Sequence, residues 1–264
     1  MAAMRLLVKI VGDLICFLFY LIFIKFYVRF VPPFKRGFNC EDSSIRYPYK
    51  ADTVSTQYLT AYFILLPILV FSTFEAAIFP WKQTNVKKRK FFFIIYNILA
   101  VFAFGIVTSY CLIVVTSYTV GRLKPHFIDV CKPNIDCKLP ENQFKYITQY
   151  TCTSNDTTKI AHARLSFPSV HSSTAMLSTV LIVLYVDAKV VWREFNLLKR
   201  FIQANIFAAG VAVSISRISD FDHHWSDVVA GMAFGGTYAF FIAVFATDWF
   251  HNRRKIGKLT AKER

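Results

Sequence analysis

Six runs of about 20 mainly apolar residues, near 7–29, 55–80, 91–118, 168–188, 201–219 and 226–250, constrain this 264-residue chain more than any other feature. A bilayer core about 30 Å thick is crossed by about 20 residues rising about 1.5 Å each, and in lipid each backbone N–H and C=O must pair within its own segment. Each run is therefore read as a membrane-crossing helix. A composition 55% hydrophobic, with 28 Phe and a mean hydropathy of +0.41, leaves too little polar surface to cover six such helices in a soluble fold. The expected fold class is all-α: a six-span transmembrane helical bundle, one domain over 1–264, with the outer loop 119–166 as an extracellular or lumenal cap.

The first run, "LLVKIVGDLICFLFYLIFIKFYV", follows Arg5 and has the look of a secretory signal, yet it is too long and no small-residue cleavage site ends it. It is read as a retained anchor, with Lys9 and Lys25 near its ends able to reach the interfaces. Gly231 and Gly235, four apart inside the last run, suit close helix packing.

The net charge of +15 is distributed unevenly. "KQTNVKKRK" (82–90) has five Lys/Arg in nine residues and the tail from His251 has six in fourteen, whereas 119–166 spreads seven over 48. Dense basic segments belong on the cytoplasmic side, so both termini are expected there, and 30–54, 119–166 and 218–225 on the outer or lumenal side. This charge is assigned to orientation and anionic lipid, with no nucleic acid partner. Asn155-Asp156-Thr157, a glycosylation sequon, falls on that outer side. So do Cys40, Cys131, Cys137 and Cys152, which allow three disulfide pairings, while no Cys/His spacing for zinc is present.

The stretch "SRISDFDHHWSD" (216–227) sets an arginine, two histidines and three aspartates between two apolar runs. Lys124 follows the third run, Ser169 and His171 open the fourth, and Arg217, His223 and Asp227 bridge the last two. Ionisable groups at membrane depth are costly unless they pair or line a wet cavity, which makes them functional candidates. Lys124 and Arg217 offer positive charge, and Ser169, with the N–H groups opening the fourth run, offers short donors aimed at an anion. Phosphate fits such donors. His223 and Asp227 are four apart, on one helical face if the span starts early enough, so the carboxylate can hold one ring nitrogen and leave the other to attack. His224, three from Asp227, competes for that role. His171 is placed to protonate a departing alkoxide.

"PSVH" (168–171) and "SRISDFDHHWSD" resemble the second and third signature motifs, P-S-G-H and S-R-x5-H-x3-D, of the type 2 phosphatidate phosphatase superfamily. "GRLKPHFIDVC" (121–131), "FKRGFNCEDSSIRYPYK" (34–50) and "RLSF" (164–167) are similar to animal lipid phosphate phosphatases. The resemblance runs from about residue 30 to 250, and its spacing selects His223 over His224. It implies a six-span phosphatase, needing no metal and no cofactor, that acts on phosphatidate, lysophosphatidate, sphingosine 1-phosphate and ceramide 1-phosphate. By the same resemblance His223 forms a phosphohistidine, Asp227 orients it, His171 is the general acid, and Lys124, Ser169, Val170 and Arg217 hold the phosphoryl oxygens. The active site faces outward, with the plasma membrane as the expected location. Lipid preference and oligomeric state, a homo-oligomer included, stay open.

Three positions depart from the family pattern. The first motif, K-x6-R-P, has Ser117 for its Lys and Lys124 for its Arg, and the second has Val170 for its Gly. One cation is lost and a two-pronged donor becomes a point charge. Removing a preorganised donor from a developing charge costs about 100- to 1000-fold in rate, so reduced activity is expected. Arg122 or Arg164 entering the site would compensate. The rival readings are a weak or inactive member that binds lipid phosphates or serves as a partner subunit, and an anion transporter, for which interrupted helices in repeated halves are lacking.

Overall fold

The computed structural model describes residues 2–51, 53, 56–78, 85–189, 195–247 and 249. In chain order its helices are α1 (Ala2–Phe30), α2 (Thr56–Ile78), α3 (Asn85–Val120), three short ones, α4 (Phe127–Cys131), α5 (Pro140–Gln143) and α6 (Thr157–His162), and then α7 (Val170–Lys189), α8 (Asn196–Ser219) and α9 (Trp225–Phe245). Strands β1 (Phe38–Asn39) and β2 (Tyr146–Ile147) pair antiparallel. The expected mostly helical chain is found. Five helices, over Leu6–Phe30, Phe91–Val120, Val170–Lys189, Asn196–Ser219 and Trp225–Phe245, are long and apolar enough to cross a membrane. The run near 55–80 is the helix Thr56–Ile78, whose described apolar stretch is the shorter Phe63–Ala77. Residues 82–84 of the first basic segment and the whole tail from His251 lie outside the described residues.

α7 is the hub, packing against α2, α3, α8 and α9, while α1 lies along α3 with most of its apolar surface exposed. Its tightest neighbour is α9, because glycines remove the obstacle between the two backbones. A Cβ on Gly231 would stand 2.5 Å from the Ser169 carbonyl oxygen, and one on Gly235 would run into the carbonyl of Ser173. The expected close-packing role of these glycines holds, and it sets α9 directly beneath the start of α7. Farther along, Phe71, Phe102, Leu177, Leu181, Tyr185, Ile242 and Ala243 fill the core. Pro67 inside α2 has no N–H for the carbonyl of Phe63, and the Ser178 hydroxyl donates to that oxygen at 3.4 Å.

The connection between α3 and α7, expected as an ordered or partly ordered cap, folds around its own core of Phe38, Leu123, Phe127, Ile147, Tyr150 and Ala163. Gly121, at φ +58, turns the chain out of α3 where a side chain would meet the carbonyl of Phe34. Two disulfides close the cap: Cys131 pairs with Cys152, and Cys40 with Cys137, tying the α1–α2 connection to it. Arg164 belongs to this core. Its Nη1 donates to the Tyr150 hydroxyl at 2.7 Å and its guanidinium lies over the rings of Phe127 and Tyr150.

Candidate active site

The site is made by the turn between α8 and α9. After α8 ends, the carbonyl of Arg217 accepts from the N–H groups of Asp222 and His223 at 3.1 and 3.2 Å, so the chain folds back and both side chains point inward. Phe221 makes this possible with a φ of +55, a conformation few bulky residues take. It is held by a contact of 2.9 Å between its carbonyl and Nδ1 of His126, and by stacking of its ring on Tyr47 with centroids 4.6 Å apart.

His223 is buried, and its Nδ1 lies 2.7 Å from the carbonyl oxygen of Ser166. A carbonyl only accepts, so Nδ1 carries the proton and Nε2 presents its lone pair. Burial, with the charge of Lys124 second, pushes the imidazole pKa down to about 3, so the ring is neutral at physiological pH. Lys124 forms an ion pair with Oδ1 of Asp222, whose Oδ2 lies 3.3 Å from Nε2 of His223. Burial alone would raise the Asp222 pKa, but the Lys124 ammonium beside it holds it well below the usual carboxylate range. The ligating atoms of His171, Asp222 and His223 all lie within 4.8 Å of one another. Lys124, His171 and His223 therefore converge as expected, and around a carboxylate not assigned from the sequence.

Asp227 does not meet the ring of His223. α9 begins at Trp225 with His224 as its N-cap, so His223 precedes the helix and the shared face inferred from the i, i+4 spacing does not form. Instead, Asp227 accepts from the backbone N–H of His224 and lies 3.1 Å from its ring Nδ1 in a reciprocal cap, and Arg122 pairs with its other oxygen at 2.5 Å. It also accepts from the Ser166 hydroxyl at 2.6 Å. Asp227 thus reaches the histidine indirectly, by fixing the residue whose carbonyl holds Nδ1.

The phosphate-binding candidates are only partly brought together. Ser169 caps α7: its hydroxyl accepts from the Ser172 N–H at 3.3 Å, and its own N–H donates to the Asp227 carbonyl at 3.1 Å. That N–H is therefore not the free donor expected of it. Val170 opens α7, where first-turn N–H groups have no partner within the helix. Arg217 is fully buried and paired to Asp220 at 3.0 Å, with Lys50 3.2 Å from the same carboxylate. Arg122 is bound to Asp227 and Ser226, and Arg164 to the cap, so neither replaces the missing cation. Ser117 is buried beneath the turn before α7, its hydroxyl donating to Ile113 at 2.9 Å and lying 3.5 Å from the Pro168 carbonyl.

His171, Asp222 and His223 form a group of a size that could take a divalent ion. The ammonium of Lys124 on the same carboxylate disfavours it, because the ion would meet a second positive charge and only one oxygen left to bind. Asp222 and Ser166 escaped the sequence reading. Asp222 was visible as a carboxylate next to the candidate nucleophile, whereas Ser166 acts through its carbonyl, which any residue possesses.

A neutral histidine whose Nε2 keeps its lone pair, with a second histidine and a lysine-paired carboxylate beside it, is suited to attack on a compact electrophile that carries an anion. The class to which this arrangement belongs is given by comparison: the PAP2 superfamily matches residues 98–251. The chain belongs to that family. It is 34% identical over 224 residues to mouse phospholipid phosphatase 1, covering 83% of this chain and 77% of that one. It is 32% identical over 226 residues to human phospholipid phosphatase 2, covering 84% and 76%. A Drosophila melanogaster protein whose name includes the words phosphatidate phosphatase is 34% identical over 240 residues, 83% of this chain and 63% of that one. No solved structure matches the chain.

Proposed function

We propose that this chain is a lipid phosphate phosphatase that works without a metal ion through a covalent phosphohistidine. The observation that carries the reading is the neutral His223, its Nδ1 proton committed to Ser166, with ligating atoms of His171 and the lysine-paired Asp222 within 4.8 Å. The names of the curated relatives support the substrate class.

In the first step Nε2 of His223 forms a bond to phosphorus, the ester P–O bond breaks, and His171 in its imidazolium form gives its proton to the departing alkoxide. For phosphatidate the product released is diacylglycerol. Neutral His171 then takes a proton from water as the water oxygen attacks phosphorus, the P–N bond breaks, and inorganic phosphate leaves. Lys124, the hydroxyl of Ser169 and the N–H of Val170 stabilise the phosphoryl oxygens, Arg217 supports the turn from its buried pair with Asp220, and Asp227 acts through Ser166 as a positioning residue. Phosphatidate, lysophosphatidate, sphingosine 1-phosphate and ceramide 1-phosphate are the proposed substrates, turned over slowly because the first motif has lost a cation.

The same reading makes α2 a sixth span, puts both termini in the cytoplasm, and turns the cap, with its disulfides and a glycan on Asn155, to the outside of the plasma membrane. The ion pair between Lys124 and Asp222 favours a second reading, a member that binds lipid phosphates with little turnover. Phosphate release from phosphatidate in mixed micelles separates them: a wild-type rate far above that of His223→Ala is expected, and equal rates would remove the enzyme.

A further inference from the structure

We infer that Asp222 is a built-in anion at the phosphoryl position, a specificity-determining residue that admits a ligand only if the ligand can displace it from Lys124. The inference rests on the reading of this site as a phosphate site.

The geometry leaves one place for two guests. Attack on phosphorus needs an approach of about 3–3.5 Å to Nε2 of His223. Oδ2 of Asp222 already stands 3.3 Å from that nitrogen, while Oδ1 holds the ammonium that a phosphoryl oxygen would need. Nε2 carries a lone pair, so the carboxylate is no hydrogen-bond partner for it. It is an acceptor beside an acceptor, kept there from elsewhere. What keeps it there is the turn: Phe221 at φ +55, clamped by His126 and by the ring of Tyr47, leaves Asp222 directed inward.

A carboxylate in this position sorts oxyanions by charge. A phosphate monoester is largely dianionic at neutral pH, with a second pKa near about 6, and can exchange for a single negative charge on Lys124. A phosphodiester carries one charge, gains nothing over the carboxylate it must expel, and is excluded. For a site surrounded by phosphodiester headgroups this is a useful discrimination, since the bulk lipid would otherwise occupy it.

The test is calorimetric titration of the full chain in detergent micelles at pH 8 with inorganic phosphate and, separately, glycerophosphocholine, comparing wild type, Asp222→Asn, Asp222→Ser and a Lys124→Met control. Two substitutions at Asp222 are used so that one misfolded variant does not decide the matter, and thermal unfolding identifies it. The expected result is phosphate binding at least about 10-fold tighter in both Asp222 variants, and glycerophosphocholine binding that appears only in them. Lys124→Met should bind neither. Unchanged or weaker phosphate binding in both folded variants would overturn the inference. His223-dependent phosphate release, measured in parallel, reports on the hydrolase reading separately: it can persist while the exchange fails, or vanish while the exchange is seen.

Discussion

The Nδ1 atom of His223 lies 2.7 Å from the backbone carbonyl oxygen of Ser166. Because the Ser166 hydroxyl is in turn fixed by Asp227 at 2.6 Å, the tautomer of His223 is set two residues deep into a capping network.

Removing that support should change chemistry more than binding. Ser166→Ala keeps the carbonyl and is expected to lower kcat modestly with KM unchanged. Asp227→Asn frees Arg122, weakens the α9 cap by about 1 kcal/mol, and should lower kcat by about 10- to 100-fold. Steady-state kinetics on phosphatidate micelles check both. A purely structural role would lower the amount of folded enzyme and leave kcat per folded molecule unchanged.

Acid should affect stability before it protonates His223. Burial and Lys124 depress the His223 pKa from 6.5 to about 3, against the pull of Asp222 and Asp227, with His171 also lowering it. Between those values the unfolded chain binds a proton that the folded one does not, so stability is full above 6.5 and falls as pH drops toward 3. Thermal unfolding in detergent should therefore shift down from pH 7.5 to 5. Over the same interval kcat/KM should show no loss from protonation of His223.

The long apolar helices were legible because lipid would impose a length and an internal hydrogen-bonding rule that apolar runs display directly. His223 was legible from motif spacing. Its true neighbours were not, because they depend on where α9 starts: with the first helical residue at Trp225, His223 leaves the helix and Asp227 turns to His224. Asp222 depends on one backbone angle, the positive φ of Phe221, which residue type argues against. The cysteine partners follow from the cap's core packing, which joins residues nearly a hundred positions apart.

Close contact between α7 and α9 carries the site on its back. Gly231→Ala would push a methyl group to 2.5 Å from the Ser169 carbonyl and displace the start of α7, which bears His171. A loss of about 1–3 kcal/mol in stability and a drop in kcat are expected, read by thermal unfolding and phosphate release.

If the cap faces the outside, Asn155, exposed at its surface, should carry a glycan in a secretory-pathway host. Endoglycosidase treatment should shift the mobility of the wild-type chain and not of Asn155→Gln. Reducing the Cys40–Cys137 and Cys131–Cys152 bridges should lower the melting temperature of purified protein, each bridge being worth about 2–4 kcal/mol.

The covalent intermediate is the most direct point of attack. Wild-type protein turning over phosphatidate, quenched in alkali and digested, should yield a peptide with one phosphoryl group on the imidazole of His223. Turnover dependent on His171 with no phosphate ever found on His223, or a His223→Ala variant that hydrolyses phosphatidate at the wild-type rate, would contradict the account.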